Sequence, residues 1–136
     1  TKVSQKCAPH LSWQQSYTTQ DPGIDQNYLD GYGWVNLVSS EGIFETQNLR
    51  VTIGFWEAGL TYPKHAHGPE EWYVILSGHC AINSAGREMR SCQRCDIIHH
   101  FPGQKHDVQG GDEDVLLMAF WRGDDLHAKS QIGTTS

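Results

Sequence analysis

Two histidines, His65 and His67, stand two apart, and Glu71 follows four residues after the second. On an extended strand, residues i and i+2 point to the same face, so these two imidazoles can share one metal ion. Gly68-Pro69 reads as a turn that lets the next strand return beside the first. Glu71 and Tyr73 are again two apart and are expected to share a face. A third imidazole is available at His106, after the turn signal Pro102-Gly103. Three neutral imidazoles and one carboxylate suit one divalent transition ion (Fe, Zn, Mn, Co or Ni), with positions left open for water or substrate.

The remaining chemistry-bearing residues read more plainly. His99 and His100 adjoin the second histidine segment, and one of them must face inward if that strand is regular; the ordinary role is a surface histidine or one that supports a ligand. His10, His79 and His127 sit in polar contexts and are expected to be solvated. Lys64 and Lys105 should alternate away from the ligands beside them. Trp72, between Glu71 and Tyr73, should face the other side of the sheet, in packing or at a dimer interface. Arg122 is expected to pair with Asp124 or Asp125. Cys92 and Cys95 form a CxxC, but no second pair completes a zinc site, and no helical pattern follows for redox use. Cys7, Cys80, Cys92 and Cys95 therefore read as unpaired thiols.

The elements that must position these residues are short strands. From Gly33 onward, β-type runs at Trp34–Val38, Ile43–Thr46, Arg50–Trp56, Trp72–Leu76, Cys80–Ile82, Asp96–His100 and Val115–Trp121 alternate with Gly-rich turn signals. No apolar period of 3.6 residues supports a substantial helix there. The pattern predicts an all-β antiparallel sandwich or barrel over residues 31–136. Residues 1–30 are polar and read as an N-terminal arm with one short helix around Ser12–Tyr17. At 136 residues the chain fits one domain, and 38% hydrophobic content suffices for one core. The net charge of -6, with ten unclustered Lys and Arg, argues against a nucleic-acid partner. No apolar run approaches the ~20 residues of a membrane span. Residues 1–10 lack the apolar core of a signal peptide, and a cytoplasmic location is the expectation, a signal removed earlier being left open. Exposed strand edges and the polar arm are compatible with a homodimer.

The segment Gly59–Gly78 resembles the first cupin motif, G-x5-H-x-H-x3-E-x6-G, at each fixed position: Gly59, His65, His67, Glu71 and Gly78. The second motif is partly matched. Gly103-Gln-Lys-His106 fits its G-x-x-H core, but Pro102 is displaced by one residue and Gly110 replaces the terminal Asn. The departure bears on the turn more than on His106. Within cupins, the run Tyr62-Pro-x-His65-x-His67-x-Pro69-Glu-Glu71-x-Tyr73 looks like the dimethylsulfoniopropionate lyases. Gly111-Asp-Glu, Trp121-Arg-Gly123 and Tyr32-Gly-Trp-Val-Asn are similar to that family too. The resemblance covers roughly residues 30–125. It implies a small double-stranded β-helix barrel holding a metal on His65, His67, Glu71 and His106.

The same resemblance implies a lyase that splits dimethylsulfoniopropionate, a small sulfonium carboxylate, into acrylate and dimethyl sulfide. This β-elimination needs a base for the proton beside the carboxylate, and a metal to neutralise that carboxylate. Tyr73 and Tyr62 are the candidate bases, with Tyr73 preferred; a free phenol has a pKa of about 10 and needs a nearby cation to ionise. Trp121, Trp56 and Tyr62 could line the sulfonium site through their aromatic faces. The alternatives are another metal-dependent cupin enzyme, a dioxygenase or an isomerase, and a cupin that only binds a small ligand. The paired tyrosines count against the first.

Overall fold

The computed structural model describes residues 8–133. Eleven strands are present among them: β1 (Tyr32–Ser39), β2 (Phe44–Glu45), β3 (Arg50–Trp56), β4 (Thr61–Ala66), β5 (Glu70–Ser77), β6 (His79–Ser84), β7 (Arg90–Gln93), β8 (Ile97–His100), β9 (His106–Gly110), β10 (Val115–Arg122) and β11 (Gln131–Ile132). Six form one sheet in the order β2-β1-β3-β10-β5-β8, and five form a second in the order β11-β4-β9-β6-β7. All pairings except the short β1–β2 contact are antiparallel. This is the expected all-β architecture.

Alternation builds the interior. Along β5, Glu71, Tyr73 and Ile75 are buried; along β6, Cys80, Ile82 and Ser84; along β10, Val115, Leu117 and Ala119. The apolar members from both sheets join one core. The intervening residues of β5 face outward: Trp72 stacks on His99 at 5.0 Å and lies under the Arg122 guanidinium. Lys64 is exposed beside buried His65, as alternation requires.

Several expectations change. The turn at Gly68-Pro69 does not return the chain beside its own strand. It carries it from β4 in one sheet to β5 in the other, so the histidines and Glu71 meet across the interior. The segment Ser12–Tyr17 is not helical: Gln14 and Trp34 exchange backbone hydrogen bonds of 2.8 and 3.0 Å. The helix is α1 (Gln26–Gly31), because Asp25 caps it by accepting from the Tyr28 N–H at 2.8 Å. Tyr17, Ile24 and Tyr28 of the polar arm enter the core. Arg122 pairs with Glu70 at 2.6 Å instead of Asp124 or Asp125, because Glu70 lies directly opposite it in the β5–β10 register. Cys80 and Cys92 are buried free thiols and Cys95 is an exposed one; Cys7 lies outside the described residues.

The two motif glycines have different reasons. Both Gly59 (φ +78°) and Gly78 (φ +76°) are left-handed. A Cβ on Gly78 would lie 2.0 Å from the Asp114 carbonyl oxygen, whereas one on Gly59 would meet nothing within 4 Å. Gly59→Ala is expected to cost about 1–2 kcal/mol, the backbone strain alone. Gly78→Ala is expected to cost about 3–5 kcal/mol, because backbone must also move. Urea unfolding of both variants checks this; equal losses would contradict it.

Candidate metal centre

His65 on β4 and His106 on β9 are directly opposed in register, and His67 follows the end of β4. Each imidazole is fixed the same way. The Nδ1–H of His65 donates to the Pro63 carbonyl at 2.8 Å, that of His67 to Pro69 at 2.9 Å, and that of His106 to Gln104 at 2.9 Å. A carbonyl can only accept, so Nδ1 carries a proton, and in the neutral imidazole each Nε2 keeps a lone pair. The ligand atoms of the three rings lie within 4.8 Å of one another. The Nε2 atoms of His67 and His106 are buried with no hydrogen-bond partner.

The loop before His106 is held in place. Phe101–Gln104 closes a β-turn, with Pro102 second and Gly103 third at φ +71°. The Gly103 N–H then donates to the His67 carbonyl at 2.8 Å, tying the two histidine segments together. The displaced Pro102 thus still makes the turn.

Glu71 comes from the opposite sheet. Its Oε2 lies 3.2 Å from His67 Nε2 and 3.1 Å from His106 Nε2. His100 Nδ1 donates to the same oxygen at 2.9 Å, and Trp121 Nε1 donates to Oε1 at 2.6 Å. Burial opposes ionisation of Glu71, yet the His67 charge and the His100 hydrogen bond hold its carboxyl well below the usual carboxylate range. Burial pushes His65 well below the ordinary histidine value, and His106 adds to this. Burial also opposes protonation of His67, but the Glu71 charge outweighs it and raises the pKa. Two buried lone pairs within 3.2 Å of a carboxylate oxygen repel each other unless a cation or a proton lies between them. Three N donors and one O donor with this orientation fit a divalent transition ion.

A cavity of about 380 Å³ opens beside this cluster, lined by Tyr62, Tyr73, Trp56 and Trp121 together with His65 and Glu71. Tyr62 stacks on His65 at 3.7 Å, and its hydroxyl hydrogen-bonds to that of Tyr17. Tyr73 stands edge-on to His106 and to Trp56. Burial raises both phenols well above 10, with Tyr17 adding for Tyr62 and Glu71 for Tyr73. Trp121 stacks on His67 at 4.3 Å and sits near the Arg50 guanidinium. Its N–H is committed to Glu71.

Sequence reasoning left two features open. His100 is the inward-facing member of its pair, buried against Glu71, while His99 faces out to Glu70 at 2.8 Å. Strand alternation from Glu71 could have identified it. Tyr17 and Tyr32 of the N-terminal segment also line the cavity, which polarity alone concealed. Of the histidines expected to be solvated, His10 is exposed, His79 pairs with Asp112 at 2.9 Å and His127 hydrogen-bonds to Ser40. The protein is expected to retain about one equivalent of divalent transition ion after dialysis. Glu71→Ala and His106→Ala should each lower its affinity by more than about 100-fold, since even supporting groups are worth 10–100-fold. Elemental analysis of the dialysed proteins checks this; full retention by both variants would contradict it.

A family model of dimethylsulfoniopropionate lyases matches residues 2–118. The dimethylsulfoniopropionate lyase DddQ of Ruegeria pomeroyi is 30% identical over 112 residues, covering 82% of this chain and 55% of that protein. The chain thus spans about half the length of this relative. A chain from the crystal structures of the DMSP lyases RdDddP and RnDddQII superposes with a TM-score of 0.91 at 29% identity, covering 98% of this chain and 67% of that one. For DddQ from Ruegeria pomeroyi DSS-3 the TM-score is 0.83 at 26% identity, covering 93% and 62%. The cupin domain of Schizosaccharomyces pombe Cnp3, at 15% identity and a TM-score of 0.63 over 88% of this chain and 73% of that one, shares the fold. The fold is therefore a cupin barrel, and the chain belongs to the dimethylsulfoniopropionate lyase family.

Proposed function

We propose that this chain cleaves dimethylsulfoniopropionate into acrylate and dimethyl sulfide. The observation that carries the reading is the placement of Tyr62 and Tyr73 in one cavity with the buried histidine–carboxylate cluster, in a member of this family. In the reaction, the C–H bond beside the carboxylate breaks and its electron pair forms the new C=C bond. The C–S bond breaks in turn, and the sulfonium sulfur leaves as neutral dimethyl sulfide. The proton passes to the base.

His65, His67, Glu71 and His106 would hold one divalent transition ion, Fe, Zn, Mn, Co or Ni. A cation there would neutralise the substrate carboxylate and favour ionisation of a nearby phenol. The need for it is direct: burial keeps Tyr62 and Tyr73 protonated in this interior. Tyr73 is assigned as the base. It shares the inward face of β5 with Glu71, and as phenolate it takes the proton from the substrate carbon. Tyr62, stacked on His65 and hydrogen-bonded to Tyr17, orients the bound substrate. The sulfonium methyls lie against Trp56 and Tyr62, whose rings are 5.7 Å apart. Aromatic faces attract a cation by roughly 0.5–2 kcal/mol each and present no competing nucleophile. Trp121 also lines the cavity, and acts mainly through its hydrogen bond to Glu71.

Headspace detection of dimethyl sulfide from metal-loaded protein tests the assignment. Tyr73→Phe is expected to lower kcat by about 10²–10⁴-fold, the usual worth of a positioned base. Tyr62→Phe should raise KM more than it lowers kcat. Equal activity in the three proteins would refute the base assignment, and absence of acrylate with the folded, loaded wild type would refute the lyase.

A further inference from the structure

His100 is fully buried and off the cavity wall, and its ligand atom lies within 4.8 Å of those of Glu71 and His106. It is directly opposed to Glu71 in the β5–β8 pairing. Opposed residues on antiparallel strands place their Cβ atoms about 4.5–5.5 Å apart on one face, which suits a short side-chain hydrogen bond. Its two nitrogens are both taken. Nδ1 lies 2.9 Å from Glu71 Oε2, and Nε2 lies 3.1 Å from Ser84 Oγ. The carboxylate only accepts, so Nδ1 carries the proton; Nε2 is then an acceptor and the Ser84 hydroxyl donates to it. Ser84 is itself buried, at the end of β6, opposite His106 in register. The His100 ring stacks on His106 at 3.8 Å and 11°. One side chain therefore touches two residues of the cluster, with its tautomer fixed from behind.

Glu71 needs such a partner. In their neutral forms its two neighbours His67 and His106 present lone pairs toward Oε2, which repel a carboxylate when neither a cation nor a proton lies between them. Trp121 restrains only Oε1. The donor that keeps Oε2 facing the two imidazoles is His100.

We propose that His100, oriented by Ser84, is a positioning residue that holds Glu71 toward the Nε2 atoms of His67 and His106 and thereby sets how tightly the centre binds a divalent ion. This rests on reading the cluster as a metal site. Hydrogen-bond partners of metal ligands are commonly worth 10–100-fold in affinity.

The test is competition for Zn²⁺ between a chromogenic chelator and the metal-stripped full chain, for wild type, His100→Leu, His100→Asn and Ser84→Ala. Leucine fills the site without a donor; the asparagine amide restores an N–H near the position of Nδ1. His100→Leu is expected to weaken zinc binding about 10- to 100-fold. His100→Asn should recover most of that loss, and Ser84→Ala should fall between wild type and the leucine variant. Thermal unfolding of the metal-stripped proteins separates binding from folding. Should His100→Leu not fold, Ser84→Ala carries the test, since it leaves His100 in place. Wild-type affinity in His100→Leu, or in Ser84→Ala where the leucine variant does not fold, would overturn the proposal alone. Equal weakening in the leucine and asparagine variants would do the same. Failure of the wild type to bind zinc would overturn the metal reading and the proposal with it.

Discussion

Three backbone carbonyls decide the chemistry of this interior. Pro63, Pro69 and Gln104 each accept an Nδ1–H from the histidine that lies two residues away, His65, His67 and His106. Each bond fixes a ring and its tautomer, and each leaves an Nε2 lone pair directed into the barrel. Burying an unsatisfied polar atom costs about 1–3 kcal/mol, and two of these atoms are buried with no protein partner. Both of these atoms face Glu71. Much of the rest follows: the turn at Pro102-Gly103 tied to the His67 carbonyl, and the crossing at Gly68-Pro69 that sets Glu71 on the opposite sheet.

The same constraint explains the state of the tyrosines. The burial that surrounds these imidazoles also raises the pKa of Tyr62 and Tyr73. Base chemistry by either phenol therefore depends on positive charge beside it. In the proposed function, one burial pattern would serve affinity for a cation, suppression of idle phenolate and binding of an organic cation.

What was legible in the sequence divides along physical lines. Strands whose inward positions carry Val, Ile, Leu or aromatic residues, such as β3 and β10, announce themselves by composition. Of the three strands that carry candidate ligands, β5 shows itself in the same way, β4 (TYPKHA) only through its His-x-His spacing, and β9 (HDVQG) not at all. Histidine fills the inward positions where a core residue would sit. The His65–His67 pair was readable from its spacing, because i and i+2 share a face on any strand, and Glu71 and His106 through the resemblance to the two cupin motifs. The crossing between sheets was not, since a Gly-Pro turn looks alike whether it joins neighbours or opposite layers. The arm was misread for a related reason: Tyr17 and Tyr28 are isolated among polar residues and reveal their burial only in three dimensions. The helix at Gln26–Gly31 had a usable signal in Asp25, its cap.

His65, His67, Glu71 and His106 are proposed to form one metal centre. X-ray diffraction from crystals of the metal-loaded chain, collected on both sides of the absorption edge of the ion, tests it most directly. One anomalous peak is expected in the barrel interior, at about 2.0–2.2 Å from the Nε2 atoms of His65, His67 and His106 and from a Glu71 oxygen. A loaded crystal with no peak there, or with its peak on other residues, would contradict it.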